Sequence, residues 1–317
     1  MDWNLNNPFV LAMMTTAVVG LLLCWYVFMS SRVVTDQATS RSLHQGRAVT
    51  GGGLWMFVPF AAMLIWQQPG FLPGYLLMLM ALLGFTDDHF DLSFKPRLLV
   101  QFVIALACLY AFGYPPGLFW LFLTLAVIWW LNLFNFMDGA NGMAGLHALV
   151  VLLFYAWLIP PGFAQAQLVY SGLGVVSVYL IFNLLLKRLF MGDSGSLPMA
   201  FLLAVLAFLA ITAGLLSYHQ VALIHAVFIT DATLTLLNRL KAGENITEAH
   251  ASHLYQRIIK SGLSHGAISC IYALLTGLFC VVAVLVTGLP VWQQMAVVTI
   301  IYLLLVVIFS KTLRLGR

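Results

Sequence analysis

Charge is what this sequence has least of. Only 8% of its 317 residues are Asp, Glu, Lys or Arg, where a soluble domain carries about 25%. Hydrophobic residues make up 62%, and no polar stretch is long enough for a separate soluble domain. The composition excludes an ordinary soluble protein and predicts one membrane-embedded domain over residues 1–317. Cysteine is scarce as well. Cys24, Cys108, Cys270 and Cys280 all sit inside apolar runs, at spacings that fit neither a zinc site nor a disulfide framework, so they read as small buried hydrophobes. No Lys or Arg precedes the first apolar run near Pro8, which reads as a retained first span and not a cleaved signal peptide. Nucleic acid is not an expected partner.

What is present is a series of apolar runs, each near the ~20 residues that cross a bilayer. They lie near residues 8–29, 52–68, 71–86, 98–113, 118–135, 143–159, 164–186, 197–216, 218–238, 267–288 and 291–310. Helices are the expected form, because an isolated strand in lipid leaves its backbone unpaired. The loops between these runs divide by charge. All 14 basic residues fall in the odd-numbered loops and the C-terminal tail, and none in the intervening turns such as QQPGFLP and GYPPG. The positive-inside rule then predicts an all-α polytopic protein of about eleven transmembrane helices, N-terminus outside and C-terminus cytoplasmic. Asp36, Asp87, Asp88, Asp91, Asp138, Asp193, Glu244 and Glu248 fall on that same cytoplasmic side. Asp231 lies within the ninth run, eight residues before Arg239, or roughly 12 Å deep.

Five polar segments carry the chemistry. In GFTDDHFDLSFKPR, Asp87, Asp88 and Asp91 crowd one loop and repel unless a cation intervenes, with Lys95 and Arg97 close behind for phosphates. The plainer alternative is a solvated loop with a helix cap. In NLFNFMDGANG, Asn132 and Asn135 share a helix face before the turn at Asp138, an arrangement suited to a base, a ribose or a metal, or to turn chemistry alone. In KRLFMGDSGS, glycines and serines precede a helix whose first amides can face an anion, and Asp193 can hold magnesium against it. In ENITEAHASHLYQR, His250 and His253 stand three apart with Arg257 one turn on, a spacing unlike that of a zinc HExxH motif. In DQATSRSLHQGRAVTGGG, Arg41, His44 and Arg47 lie near three glycines and can contact a phosphate. Each segment alone reads equally well as caps and turns, whereas five on one face point to an anionic substrate. His147, His219 and His225 read as structural.

As an ordered set spanning residues 35–260, these segments resemble the polyprenyl-phosphate N-acetylhexosamine-1-phosphate transferases, glycosyltransferase family 4. GFTDDHFDLS is similar to the family's paired-aspartate motif, NLFNFMDGANG to N-x-x-N-x-x-D-G-x-D-G, and FMGDSGS to F-M-G-D-x-G-S. His250/His253 resemble its histidine motif, and RSLHQGRAVTGGG its first-loop motif. Three positions depart. Asn141 replaces an aspartate, the first loop lacks both prolines and has Thr50 for an arginine, and His250-Ala-Ser-His253 replaces H-I-H-H. The last resembles the O-antigen initiating branch and implies a deoxy-N-acetylhexosamine.

The resemblance implies a multi-pass enzyme of the bacterial inner membrane that faces the cytoplasm. It moves a sugar-1-phosphate from a UDP-N-acetylhexosamine to undecaprenyl phosphate and releases UMP, as the first membrane step of O-antigen or other envelope polysaccharide synthesis. The implied cofactor is Mg2+, with Mn2+ as a substitute, held by Asp193 and Asp87. The implied catalytic residues are Asp87, Asp88, Asp138, His250 and His253. Substrate contacts fall to Asn132, Asn135, Lys95, Arg97, Arg41, Arg47 and Asp231. A homodimer is compatible with the resemblance. The rival reading is a transporter of a lipid-linked or nucleotide-linked sugar, which calls for internal repeats and polar groups near the midplane.

Overall fold

Every apolar run identified in the sequence is helical in the computed structural model, which describes residues 7–30, 34–37, 47–160, 162–163, 165–245 and 251–315. The helices are α1 (Pro8–Cys24), α2 (Gly52–Gln67), α3 (Leu72–Phe90), α4 (Phe94–Ala111), α5 (Leu118–Phe136), α6 (Met143–Leu158) and α7 (Ala166–Leu180). After them come α8 (Asp193–Thr212), α9 (Tyr218–Ile224), α10 (Ala226–Lys241), α11 (Leu254–Lys260), α12 (His265–Leu285) and α13 (Val291–Leu315). Single π-turns extend α1 over Trp25–Met29 and α7 over Ile181–Leu185.

Among the described residues, seven helices are long and apolar enough to cross a membrane, eight if the bent pair α9–α10 is one span, against the eleven predicted crossings. The others fall short for physical reasons. α2 and α6 have 16 residues each, and α3 gives the end of its length to Asp87, Asp88 and His89. The chain is a nearly all-α, multi-pass membrane protein.

Among the described residues, the strands are an antiparallel ribbon, β1 (Val34–Gln37) with β2 (Arg47–Thr50), in register from Val34↔Thr50 to Gln37↔Arg47. The pairing continues onto the chain before α8. Val49 bridges Leu189, the Phe190 amide donates to the Val49 carbonyl at 2.8 Å, and the Gly53 amide donates to that of Met191 at 3.1 Å.

α8 is the axis of the molecule, buried at every position from Ser194 to Ala210, as expected of a helix apolar all round. α13 is the opposite case and turns a row of leucines and isoleucines outward, Leu303, Leu304 and Ile308 among them. At the N-terminal end of α8 the packing is backbone on backbone. A side chain at Gly84 of α3 would fall inside the Asp193 carbonyl, and one at Gly53 of α2 inside the Gly195 amide. Only a residue without Cβ permits those approaches.

The 75° break between α9 and α10 sits at His225. Trp130 lies 4.2 Å from that ring, and His147 hydrogen-bonds it at 3.0 Å while stacking on Phe228 at 3.9 Å. The break is thus packed by rings. His147 also pairs with Thr276 at 3.0 Å, so both histidines sit in one buried chain of hydrogen bonds.

Candidate active site

Described parts of the first-loop, aspartate and asparagine segments meet the KRLFMGDSGS segment around one stretch of backbone, residues 189–196 at the head of α8. Hydrogen bonds from four directions reach it. Asp88, at the end of α3, accepts from the Asp193 amide at 2.7 Å and the Ser194 amide at 3.0 Å. Asn135, at the end of α5, accepts from the Ser196 hydroxyl at 2.8 Å. Asn183, in the π-turn after α7, donates to the Leu189 carbonyl at 2.8 Å and accepts from the Gly142 amide at 2.6 Å. The β2–α2 segment joins through Val49 and Gly53. The histidine segment then covers the Asp138 turn, with the Tyr255 hydroxyl accepting from the Gly139 amide and donating to the Phe136 carbonyl, both at 3.1 Å.

The carboxylates follow from this framework. Asp87 is buried and uses both oxygens: one accepts from the Leu92 amide at 2.9 Å, the other from Arg97 at 2.6 Å. The same guanidinium nitrogen reaches Asp193 at 3.1 Å, and the Asp87 and Asp193 carboxyls are themselves within direct reach of each other. Asp138 is partly buried, and no donor among the described residues reaches its carboxyl. Burial, reinforced by the charges of Asp193 and Asp88, pushes it well above the usual carboxylate range. Asp88 is raised too, by burial first, against the lowering pull of the Ser194 and Asp193 amides. Four acidic groups thus share one guanidinium and three amides. Such a cluster asks for more positive charge.

Several predicted residues take other positions. Asp91 leaves the cluster, being exposed with φ 49°, and turns the chain out of α3. The anion held by the first amides of α8 is the protein's own Asp88, and these contacts occupy both of its oxygens. Asp231 is not brought to the cluster. It accepts from the Leu254 and Tyr255 amides at 2.8 and 3.2 Å and from the Tyr272 hydroxyl at 2.7 Å, and so anchors the histidine segment from beneath. His253 caps α11, 3.8 Å from Asp231, and burial together with the Arg239 charge pushes it down to about 3. It is neutral at physiological pH and brings no positive charge to a phosphate. Asn132 is buried and donates to Gln101 at 2.7 Å and to the Ile128 carbonyl at 2.8 Å. Lys95 is exposed on the same first turn of α4 as Arg97. Arg41, His44, Glu248 and His250 lie outside the described residues, as does the side chain of Arg47.

The sequence reading passed over Asn183 and Tyr255, which tie distant turns together without belonging to a charged motif. A buried asparagine within an apolar run was the available signal, since an amide there must find partners. Replacing Asn183 with alanine leaves two buried backbone groups unpaired, at ~1–3 kcal/mol each. Thermal unfolding in detergent should show a loss of roughly 2–4 kcal/mol. A change below about 0.5 kcal/mol would mean that other groups take over both bonds.

Whether the cluster suits a divalent cation follows from its make-up. Among the described residues no group of three or more His, Cys, Asp or Glu is arranged to hold a metal alone. Magnesium asks for less, usually one or two carboxylates plus phosphate oxygens. Asp193 and Asp87, in direct reach of each other beside the open Asp138, fit an ion held jointly with a phosphate ligand.

A groove of about 800 Å³ is walled by Phe94, Leu98 and Phe102 of α4, the helix that carries Arg97, by Trp129 of α5 and by Leu236 of α10. Its wall is apolar except at Asn132, whose buried carbonyl oxygen has no partner among the described residues.

Comparison with known proteins agrees with this architecture. Residues 71–211 match glycosyl transferase family 4. The "Probable undecaprenyl-phosphate N-acetylglucosaminyl 1-phosphate transferase" of Bacillus subtilis (strain 168) is 23% identical over 87% of this chain and 84% of its own length. The undecaprenyl-phosphate alpha-N-acetylglucosaminyl 1-phosphate transferase of Yersinia pestis is 26% identical over 90% and 86%. The phospho-N-acetylmuramoyl-pentapeptide-transferase of Synechococcus sp. (strain JA-3-3Ab) is 29% identical over 86% and 90%. The region that resembles glycosyl transferase family 4 holds Asp87, Asp88, Arg97, Asn135, Asp138, Asn183 and Asp193, the residues that build the cluster.

Proposed function

We propose that the protein transfers an N-acetylhexosamine-1-phosphate, on the histidine-segment pattern a deoxy sugar, from a UDP-sugar to undecaprenyl phosphate and releases UMP. One observation carries this reading. Asp87 and Asp193 share Arg97, Asp138 stands near Asp193 and Asp88, and an apolar groove runs along Phe94, Leu98 and Phe102 of the helix that carries Arg97. A polyprenyl phosphate has the matching shape, an apolar chain for the groove and an anionic head for Arg97. The relatives' names point to the same acceptor.

The acceptor phosphate attacks the phosphorus that bears the sugar. The bond to the bridging oxygen breaks, and UMP leaves with that oxygen's charge. Arg97, with Lys95 one half-turn away on α4, neutralises phosphate oxygens as charge builds. A phosphate monoester with a second pKa of ~6 is already largely dianionic at neutral pH, so the attack needs no side-chain base. Asp88 accordingly shapes the head of α8 and abstracts no proton. Asn135, fixed by Ser196, and Asp138 face the nucleotide. His253, neutral and seated over Asp231, donates at most one hydrogen bond. Asp193 and Asp87 would hold Mg2+, or Mn2+, which supplies charge neutralisation to the diphosphate.

The gathering of all basic residues on one set of loops supports a site on the cytoplasmic side with the N-terminus outside, and the bacterial relatives support the inner membrane as its location. The reaction there begins O-antigen or another envelope polysaccharide. Transporters also use broken helices, but the break at His225 is packed by Trp130, His147 and Phe228.

The test is isotope exchange. Proteoliposomes supplied with product lipid, Mg2+ and labelled UMP should form labelled UDP-sugar, and a panel of UDP-N-acetylhexosamines should identify the donor. Passage of intact UDP-sugar without UMP release would establish a transporter instead. Undiminished exchange in EDTA would remove the metal.

A further inference from the structure

A second polar cavity, of about 730 Å³, lies away from the carboxylate cluster, where α10, α11 and α13 end together. Arg239 and Lys241 of α10, Arg257 and Lys260 of α11, and Ser310 of α13 line it. Its one acidic wall residue among the described residues is Glu244, which pairs with Arg239 at 3.3 Å. Among the described residues the wall thus carries four basic side chains and one acid. Arg239 also donates to the Asn245 carbonyl at 2.7 Å, yet its Nε is buried with no hydrogen-bond partner among the described residues. Lys260 donates to the Ala251 carbonyl at 3.0 Å, and Lys241 is exposed.

The surroundings of this cavity are apolar and outward-facing. Leu237 and Leu240 on α10 are exposed, as are Leu304, Val307 and Ile308 on α13. In a multi-pass protein those faces meet lipid. The cations lie at the ends of the helices that carry those faces.

We propose that this cavity is a site for the phosphate head of an anionic phospholipid, with its acyl chains lying against the outward faces of α10 and α13. The chemistry is that of a phosphodiester: acceptor oxygens for two guanidinium forks and two ammonium groups, and an apolar continuation along the adjoining helices. The proposal does not depend on the transferase reading. A free phosphate shares the headgroup chemistry but has no use for the exposed leucines.

Delipidated full-length protein in neutral detergent provides the test. Phosphatidylglycerol should raise the unfolding temperature saturably, and phosphatidylcholine should not. Lys241→Gln should weaken the phosphatidylglycerol affinity about fivefold, and Lys241→Gln with Lys260→Gln roughly 25-fold, from the usual contribution of a basic residue at an anionic membrane. Lys241 is exposed, so its replacement leaves the fold intact and keeps the test sound even if the double variant is unstable. Equal stabilisation by phosphatidylcholine, or unchanged phosphatidylglycerol affinity in Lys241→Gln, overturns the proposal. Inorganic phosphate that stabilises as well as phosphatidylglycerol, with loss in the same variants, assigns the cavity to a soluble anion and also overturns it.

Discussion

Alanine at Gly84 should reduce transfer by at least about a hundredfold and lower stability by roughly 1–3 kcal/mol. The added carbon would fall within the backbone of Asp193 and Ser194, which cannot swing aside as a side chain can. α3 and α8 must therefore move apart. That movement breaks the bonds from the Asp193 and Ser194 amides to Asp88 and carries Asp193 away from Arg97. Gly70→Ala is the matched control, because nothing lies within 4 Å of a side chain there. UMP exchange and thermal unfolding of both variants decide the matter. Full activity in Gly84→Ala would mean that the head of α8 tolerates displacement.

Asp193→Asn should behave differently, losing activity by roughly a thousandfold or more without losing stability. Asp193 adds a like charge beside Asp87 and Asp88, and a single guanidinium serves both Asp193 and Asp87. An amide keeps the shape and removes the repulsion, so the unfolding temperature measured without divalent cation should hold or rise. The combination is the signature of a group retained for chemistry at a cost to the fold. A variant that loses both properties together would make Asp193 a structural residue and leave the proposed metal without its main ligand.

The acidic and amide residues of the site were legible from the sequence because each is expensive at the end of an apolar helix unless it has a task. Their division of labour was not legible. Asp87 and Asp88 are adjacent and chemically identical, yet one faces a guanidinium and the other caps α8. The difference arises from helix rotation and from a partner far away in the chain. Gly84 could be seen only as a glycine in a helix, because the backbone it admits belongs to α8. The helices themselves were readable from apolar runs and turn residues. The crossings were less so, since acids and short lengths at α2, α3 and α6 separate being helical from spanning a bilayer. Asp231 read as a substrate residue because a carboxylate deep in an apolar run has few ordinary explanations. Its partners, the amides of α11, lie beyond a loop whose path no local pattern discloses.

The separation of 105 residues between Asp88 and the amide that it holds also bears on how the chain is made. At ~5–20 residues per second, a ribosome needs on the order of 5–20 s to supply that amide. During that interval the nascent α3 presents two carboxylates with no α8 to receive them. A helix in this condition is poorly suited to lie in lipid by itself. It has reason to wait at the translocon, or at the aqueous boundary, until the later segment arrives to complete it.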